Sequence, residues 1–270
     1  MKITEYISSS VDRLPKGYVF TYTDFINEVK NIGAKRKSRP VGKEAVIKAL
    51  NRMVASGKIT KLSKGKFYKP EKSAFGKLQP NRYQIVKDLL EEDGKITGYL
   101  TGYSIYNQLG LTTQISNIIQ IGKNTVRPAF KRTGYKISFV LQKNNITKDN
   151  IPLLQILDSI RYIKKIPDTT ISSTCERLIK IIKDLSEKDK ATLVRLALKY
   201  PPVARALLGA LLEEILKRSG KLVPALRDTD LSGENTYLTE PLYKSLNPIT
   251  TYKIPGAGKV LSSINKWNIK

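Results

Sequence analysis

The part of this chain that most restricts its fold is residues 35–70, where a basic cluster precedes a helical pattern and two short β-prone runs. The cluster is Lys35-Arg36-Lys37-Ser38-Arg39-Pro40. The helical pattern covers residues 42–56 and stops at Gly57, since glycine readily ends a helix. The β-prone runs that follow surround a Lys64-Gly65 turn. Helix, tight glycine and basic hairpin in this order predict a winged helix-turn-helix, in which one helix enters the DNA major groove and the wing grips the backbone.

The predicted helix over residues 42–56 has two chemically different faces. Its apolar positions, which recur at helical spacing and are expected to pack inward, are Val46, Ala49, Leu50, Met53 and Val54. The opposite face carries Lys43, Glu44, Ile47, Lys48, Asn51 and Arg52. Lysine and arginine pair well with guanine O6 and N7, and asparagine with adenine N6 and N7. We therefore expect Lys43, Lys48, Asn51 and Arg52 to read bases.

The remaining cations of this region are expected to contact phosphates, which sets affinity but carries no sequence information. They are Lys35, Arg36, Lys37, Arg39, Lys61, Lys64 and Lys66. The alternative is a winged helix used only for protein contacts, with lysines kept for solubility.

The charge of the whole chain also favours a polyanionic partner. The formal net charge is +25. Residues 1–80 hold 18 Lys and Arg against 6 Asp and Glu, a net charge of +12, so the N-terminal part is the denser one. A generally lysine-rich, solvated surface is the competing interpretation.

The residue types that are missing exclude several kinds of site. The chain has no histidine and one cysteine, Cys175, so it cannot form a zinc finger, a Ser-His-Asp triad or an internal disulfide. Cys175 is either a reactive thiol at a helix start or a small buried residue. No cofactor is expected. No apolar run approaches the length of about 18 residues that spans a bilayer, and no signal peptide is evident, so we expect a cytoplasmic protein without a membrane partner.

The chain as a whole is predicted to be α+β, with an N-terminal winged helix-turn-helix, then a mixed α/β domain with a helical C-terminal extension. Residues 1–70 form the first domain, residues 71–80 a linker, and residues 81–170 the second domain. Residues 171–270 form the helical extension with an irregular tail, expected to pack on the second domain.

Three further sequence patterns are candidates for an enzyme site or an RNA-binding site. Tyr99, Tyr103 and Tyr106 are spaced to line one helical face, where tyrosines either stack on unpaired bases or fill a core. Asp168 and Glu176 suggest a metal-dependent nuclease, although a helix cap is the more frequent role of such an aspartate. Residues 256–259 (GAGK) lack the spacing and the Ser/Thr of a phosphate loop.

The sequence of residues 97–114 (TGYLTGYSIYNQLGLTTQ), placed after an N-terminal winged helix, resembles AbiEi-type antitoxins of bacterial type IV toxin–antitoxin systems. Residues 190–216 and 246–254 are similar to stretches in one subgroup, while the long helical tail departs from shorter members. The resemblance implies a DNA-binding repressor of its own operon that recognises inverted repeats. It further implies an antitoxin that counters a nucleotidyltransferase-like toxin without a stable complex.

The family has no catalytic motif to transfer, so the resemblance implies a protein that is not an enzyme. Its DNA-facing positions correspond to Lys43, Lys48, Arg52, Lys64 and Lys66. The expected partner is thus double-stranded operator DNA. The alternatives are an RNA-binding module that recognises tRNA or the toxin's substrate, and a metal-dependent nuclease.

Overall fold

The computed structural model describes residues 3–26, 43–74, 76–92, 94–220 and 236–270. The fold is mixed, with α-helices and several small β-sheets, as the sequence predicts for the α+β class. The chain divides into two compact units. The first contains residues 1–89 and 131–135, and the second contains residues 90–130 and 136–270.

The first unit opens with helix α1 (Ile3–Arg13) and strand β1 (Val19–Thr21). Residues 22–26 are helical and are labelled α2. Helix α3 (Lys43–Ala55) is followed by strands β2 (Thr60–Ser63) and β3 (Lys66–Tyr68). The three strands pair in the order β1-β3-β2, and both pairings are antiparallel.

The core of the first unit lies between helices α1 and α3 and this small sheet. Ile7 and Val11 on α1 and Leu50 on α3 are completely buried, and the rings of Phe20 and Phe67 stack with centroids 6.2 Å apart. The same apolar cluster contains Phe25, Val46, Ala49, Met53 and Ile59. One continuous core thus fixes the orientation of α3, which the apolar stripe of that helix predicted.

Residues 71–80, predicted as a linker, contain a β-hairpin. Strands β4 (Glu71–Ser73) and β5 (Gly76–Leu78) pair antiparallel, with every described residue of both strands exposed. Helix α4 (Arg82–Leu90) follows, and all but its last residue belong to the first unit rather than to the expected second domain. A hairpin of polar residues with a central glycine has the composition of a linker, which explains the difference.

A two-stranded ribbon and most of a four-stranded sheet belong to the second unit, while residues 131, 132 and 135 of that sheet are counted with the first. Strands β6 (Glu91–Glu92) and β7 (Lys95–Ile96) form the ribbon. The sheet has the order β10-β11-β9-β8 and is built from β8 (Gly98–Thr101), β9 (Ile118–Lys123), β10 (Phe130–Arg132) and β11 (Tyr135–Leu141). Strands β9 and β11 are parallel, whereas β8 and β9 are antiparallel.

The helices of the second unit surround a larger apolar core than that of the first. They are α5 (Asn150–Arg161), α6 (Ile171–Lys183), α7 (Glu187–Ala197), α8 (Pro202–Arg218) and α9 (Thr236–Lys244). Ser186 caps the N-terminus of helix α7, since its hydroxyl accepts a hydrogen bond from the Asp189 N–H and donates one to the Asp189 carboxylate. Helix α8 is buried along most of its length, in agreement with its broad apolar surface.

The C-terminal segment, residues 245–270, is largely irregular and is held on the second unit by α8. The Trp267 side chain is completely buried, and its indole N–H donates a 2.9 Å hydrogen bond to the Glu213 carboxylate. Tyr252 forms a parallel β-bridge with Ile269. Among the residues that the structure describes, no helix has the length and apolar character needed to cross a membrane.

Candidate functional site

The candidate base-reading face lies on α3 and is exposed. Lys43, Lys48, Asn51 and Arg52 are all solvent-exposed, while the opposite side of the helix is buried in the core. Lys48, Asn51 and Arg52 are separated by three and four residues, so they project from the same side of the helix. The Lys43 ammonium lies 4.9 Å from the centre of the Tyr22 ring, which is a cation–π contact. Three of these four side chains therefore form one polar surface on a helix that cannot rotate without breaking the core.

The hairpin β2-β3 follows α3 closely because a glycine ends the helix. Gly57 has φ +73°, a left-handed conformation that glycine adopts without strain. The Lys58 ammonium donates hydrogen bonds to the Ser8 hydroxyl and to the Asp12 carboxylate, at 2.6 and 2.7 Å. These contacts join the end of α3 to α1. They fix where the hairpin starts relative to the exposed face of α3.

Two of the three predicted wing cations remain exposed on this hairpin. Lys61 and Lys64 are solvent-exposed, and Gly65 has φ +75° in the turn. The pairing of β2 with β3 shifts between Lys61 and Ser63, so Leu62 occupies a bulge, and its carbonyl accepts a hydrogen bond from the Thr133 hydroxyl. The side chain of Leu62 is only 7% exposed and therefore belongs to the interior.

Lys66, the third predicted wing cation, is engaged inside the first unit. It forms an ion pair with Asp88, and only 16% of its side chain is exposed. Arg132 also binds Asp88, through hydrogen bonds of 2.7 and 3.2 Å, and donates to the Ile85 carbonyl. Burial acts to raise the pKa of Asp88, but hydrogen bonds from Arg132 and Lys66 outweigh it and hold that pKa below its ordinary value. We therefore assign Lys66 to the stability of the first unit.

The remaining predicted phosphate contacts, Lys35, Arg36, Lys37 and Arg39, lie outside the described residues. The described part of the predicted interface is therefore the exposed face of α3 together with Lys61 and Lys64.

The second unit contains a buried polar network that the sequence did not reveal. Asp158 on α5 has no exposed surface and accepts hydrogen bonds from three hydroxyls: Thr101 at 2.6 Å, Tyr99 at 2.7 Å and Tyr200 at 2.9 Å. The Gln142 amide donates to both tyrosine hydroxyls at 2.8 Å. Each carboxylate oxygen therefore has a donor, which is what a buried acid requires.

Asn144 extends this network to the backbone. Its side-chain amide donates to the Gln142 side-chain oxygen at 3.1 Å and to the Leu196 carbonyl at 3.0 Å. Burial raises the pKa of Asp158, against the opposing effect of the three hydroxyl donors and of Arg161. The one sequence signal of this network is Asp158 itself, a carboxyl group within an otherwise apolar stripe of α5. Its hydrogen-bond partners are too distant in sequence to be recognised.

The tyrosine motif does not line a helical face. Tyr99 lies on strand β8, whereas Tyr106 follows a short 3₁₀ turn over Gly102–Ser104. Both rings are buried, with 2% and 1% exposure, and Tyr103 packs edge-on against Tyr106 with centroids 5.7 Å apart. Of the two roles considered for the motif, the structure therefore supports core packing, because the Tyr99 and Tyr106 faces are not available to bases.

The acids considered for a nuclease do not form a cluster. Asp168 is exposed at a turn with φ +50°, and Glu176 is bound by Arg218 through two hydrogen bonds of 2.8 Å. The Arg218 contact lowers the pKa of Glu176. Across the described residues, no group of three or more His, Cys, Asp or Glu side chains could hold a metal ion.

Of the two roles expected for Cys175, a reactive thiol or a small buried residue, the structure supports the second. Cys175 has no exposed surface, and burial, with a smaller effect of the Glu176 charge, raises the pKa of its thiol to about 12.

Residues 6–194 match the family described as "Family of unknown function (DUF6088)". No curated protein and no solved structure matches the sequence. Because the match covers well over half of the 270 residues, the chain belongs to the DUF6088 family.

Proposed function

We propose that this protein is a cytoplasmic DNA-binding antitoxin that represses its own type IV toxin–antitoxin operon, with a winged helix-turn-helix in its first unit. The observation that carries the proposal is the exposed, cationic face of α3, which stands beside a short basic hairpin.

Helix α3 is packed on the core in the way that a helix reading bases in a DNA groove requires. Val46, Leu50 and Met53 anchor one side of the helix in the core, so the position of Lys48, Asn51 and Arg52 is fixed by packing. A base contact discriminates only if its side chain arrives in a defined geometry, and a bidentate contact contributes about 1–3 kcal/mol of discrimination. The helix therefore supplies a rigid frame for sequence reading.

The wing would supply contacts that do not depend on sequence. Lys61 and Lys64 are exposed on β2 and its turn, and they carry charge without a described carboxylate partner. Each phosphate that such a residue neutralises releases counterions and steepens the salt dependence of binding. Lys66 is excluded from this set because Asp88 already binds it.

The antitoxin part of the proposal rests on the second unit. The sequence of residues 97–114, which resembles AbiEi-type antitoxins, runs through strand β8 and the 3₁₀ turn. Tyr99 and Thr101 of this stretch bind the buried Asp158. The motif is therefore a structural part of the second unit, and the toxin it would counter is a nucleotidyltransferase-like protein encoded beside it.

The DNA-binding part is tested by fluorescence anisotropy on DNA from upstream of the gene. Wild-type protein should bind this DNA more tightly than random duplex at the same salt concentration, and the double variant Lys48→Glu/Arg52→Glu should lose that binding. The matched control is Lys164→Glu/Lys188→Glu, two exposed lysines of the second unit that change the net charge by the same amount. Equal affinity for operator and random duplex would contradict the proposal.

RNA binding is the competing outcome of the same assay. If unlabelled tRNA displaces the operator more effectively than operator DNA does, the protein is an RNA-binding module. The burial of Tyr99 and Tyr106 weighs against base stacking at the tyrosine motif.

The antitoxin part needs a separate readout, which is rescue of growth when the neighbouring toxin is expressed. Full-length protein should restore growth, and Lys48→Glu/Arg52→Glu should do so equally when transcribed from an unrelated promoter. Absence of rescue by the wild-type protein would remove the antitoxin assignment and leave the DNA-binding assignment intact.

A further inference from the structure

The second unit contains a small cleft next to the Asp158 network. It has a volume of about 240 Å³ and opens beside Leu141, the last residue of β11. Pockets that enclose whole organic ligands measure about 300–1,000 Å³. The cleft therefore fits one small group rather than a nucleotide or a peptide.

Positive charge dominates the walls of this cleft. Lys143, Arg161 and Lys199 line it, and the other lining residues include no aspartate or glutamate. Lys143 and Lys199 are exposed, and Arg161 is half-buried. None of the three forms an ion pair with a described carboxylate of the chain. Three cations around one concave space, without a described counter-charge on its walls, produce a local field that attracts an anion.

The cleft lies at the end of a strand and at the start of a helix. Strands β9 and β11 run parallel, and the cleft lies just beyond the carboxyl end of β11. Ligands of α/β sheets commonly bind beyond the carboxyl ends of parallel strands. Pro201 and Pro202, which start the 17-residue helix α8, also line the cleft, so the N-terminal end of this helix forms part of its wall.

Gln142 and Tyr200 contribute buried side chains to the lining, and both are held by the Asp158 network. Gln142 is 3% exposed and Tyr200 is 6% exposed, and their polar atoms are joined by a 2.8 Å hydrogen bond. The Asp158 carboxylate does not line the cleft. Three hydroxyl donors bind it, and the charge of Arg161, which does line the cleft, also stabilises it. The cleft is thus a preformed space with cations at its edges.

We propose that this cleft binds a phosphate group carried by a small molecule. A phosphate dianion suits a cleft that is lined by three cations, and the volume is large enough to hold it. Arginine and lysine bind phosphate through short, charge-assisted hydrogen bonds. The proposal does not depend on DNA binding by the first unit.

Isothermal titration calorimetry with full-length protein tests this site. The probes are inorganic phosphate, adenosine 5′-monophosphate and adenosine. The two phosphate-bearing probes should bind and adenosine should not. Binding of inorganic phosphate and the nucleotide with equal affinity identifies the free anion as sufficient, and tighter binding of the nucleotide assigns a phosphomonoester. Binding of adenosine as tight as that of its monophosphate would overturn the proposal, as would no binding of either phosphate probe.

Variants place the binding in the cleft. Lys143→Ala/Lys199→Ala should weaken phosphate binding by about tenfold or more, because it removes two charge-assisted contacts. The control Lys164→Ala/Lys188→Ala removes two exposed charges of the same unit and should bind like the wild type. Lys48→Glu/Arg52→Glu should also bind phosphate normally, which separates this site from the proposed DNA surface. Equal losses in the cleft variant and in either control would show unspecific charge attraction and overturn the assignment.

Discussion

The Tyr200 hydroxyl lies 2.9 Å from the Asp158 carboxylate, and the Asp158 side chain has no exposed surface. Tyr200 follows the end of α7, whereas Asp158 lies on α5, so this hydrogen bond joins two helices of the second unit. Tyr99 and Thr101 add strand β8 to the same carboxylate. Asp158 therefore connects two helices and the sheet by hydrogen bonds. We expect it to contribute strongly to the stability of this unit.

Replacing Asp158 with alanine should destabilise the protein. The change removes the acceptor of the Tyr99 and Thr101 hydroxyls and leaves Tyr200 only its 3.4 Å contact with the Leu154 carbonyl. Unsatisfied buried groups cost about 1–3 kcal/mol each, partly offset because a buried charge is also removed. We expect a loss of about 2–4 kcal/mol in the free energy of unfolding, measured by urea titration with circular dichroism. Asp184→Ala, at an exposed site after α6, is the control and should change little. An unchanged urea midpoint for Asp158→Ala would contradict this role.

The ion pairs of Asp88 should make the stability of the first unit sensitive to acid. The folded-state pKa of Asp88 lies below its unfolded value of about 3.9, so its stabilising contribution is fully present above that value and is lost as the pH falls through the folded pKa. The urea midpoint of Asp88→Asn should lie below that of the wild type at neutral pH. The difference should narrow below about pH 4, where the wild type also loses this interaction.

The exposed Glu92→Gln variant controls for general acid destabilisation. A difference between wild type and Asp88→Asn that stays constant down to acid pH would show that the Asp88 carboxylate does not stabilise the unit through its charge.

The single thiol should be unreactive in the folded protein. Cys175 is completely buried, and its thiol pKa is raised to about 12, so almost no thiolate exists at about pH 8. We expect Ellman's reagent to label native protein only as fast as the second unit opens, whereas guanidinium-unfolded protein should react at once with one equivalent. Rapid labelling of native protein would show that the thiol is accessible.

Short-range patterns were enough to predict the elements whose residues repeat regularly. The stripe of Val46, Ala49, Leu50 and Met53 is buried on α3 as its spacing indicated, and the alternating run in residues 135–141 is strand β11. In both cases the signal lies within one element, so no distant partner is needed to recognise it.

The features that the sequence did not reveal depend on distant partners. Strand β8 was missed because Tyr99, Tyr103 and Tyr106 have helical spacing, and only pairing with β9 makes residues 98–101 extended. Lys66 was predicted as a wing cation because its partner, Asp88, is 22 residues away, and Arg132, which binds the same carboxylate, is 66 residues away. The Asp158 network draws its partners from residues 99–200 for the same reason.

The contact between Gly209 and Trp267 should control how the C-terminal segment binds to α8. A methyl group at Gly209 would lie 2.1–2.4 Å from atoms of the Trp267 ring, so Gly209→Ala should displace the indole and cost about 1–3 kcal/mol. Trp267 is the only tryptophan of the chain, so a red shift of intrinsic fluorescence would report its displacement.

A double-mutant cycle identifies the contact responsible. In a Trp267→Leu background, Gly209→Ala should cost less than it does in the wild type, because the smaller side chain leaves room for the methyl group. Urea titrations followed by circular dichroism give the four stabilities without relying on the tryptophan. Purely additive costs would show that Gly209 and Trp267 act independently, and the C-terminal segment would then be held mainly by other contacts, such as those of Glu214 with Ser262.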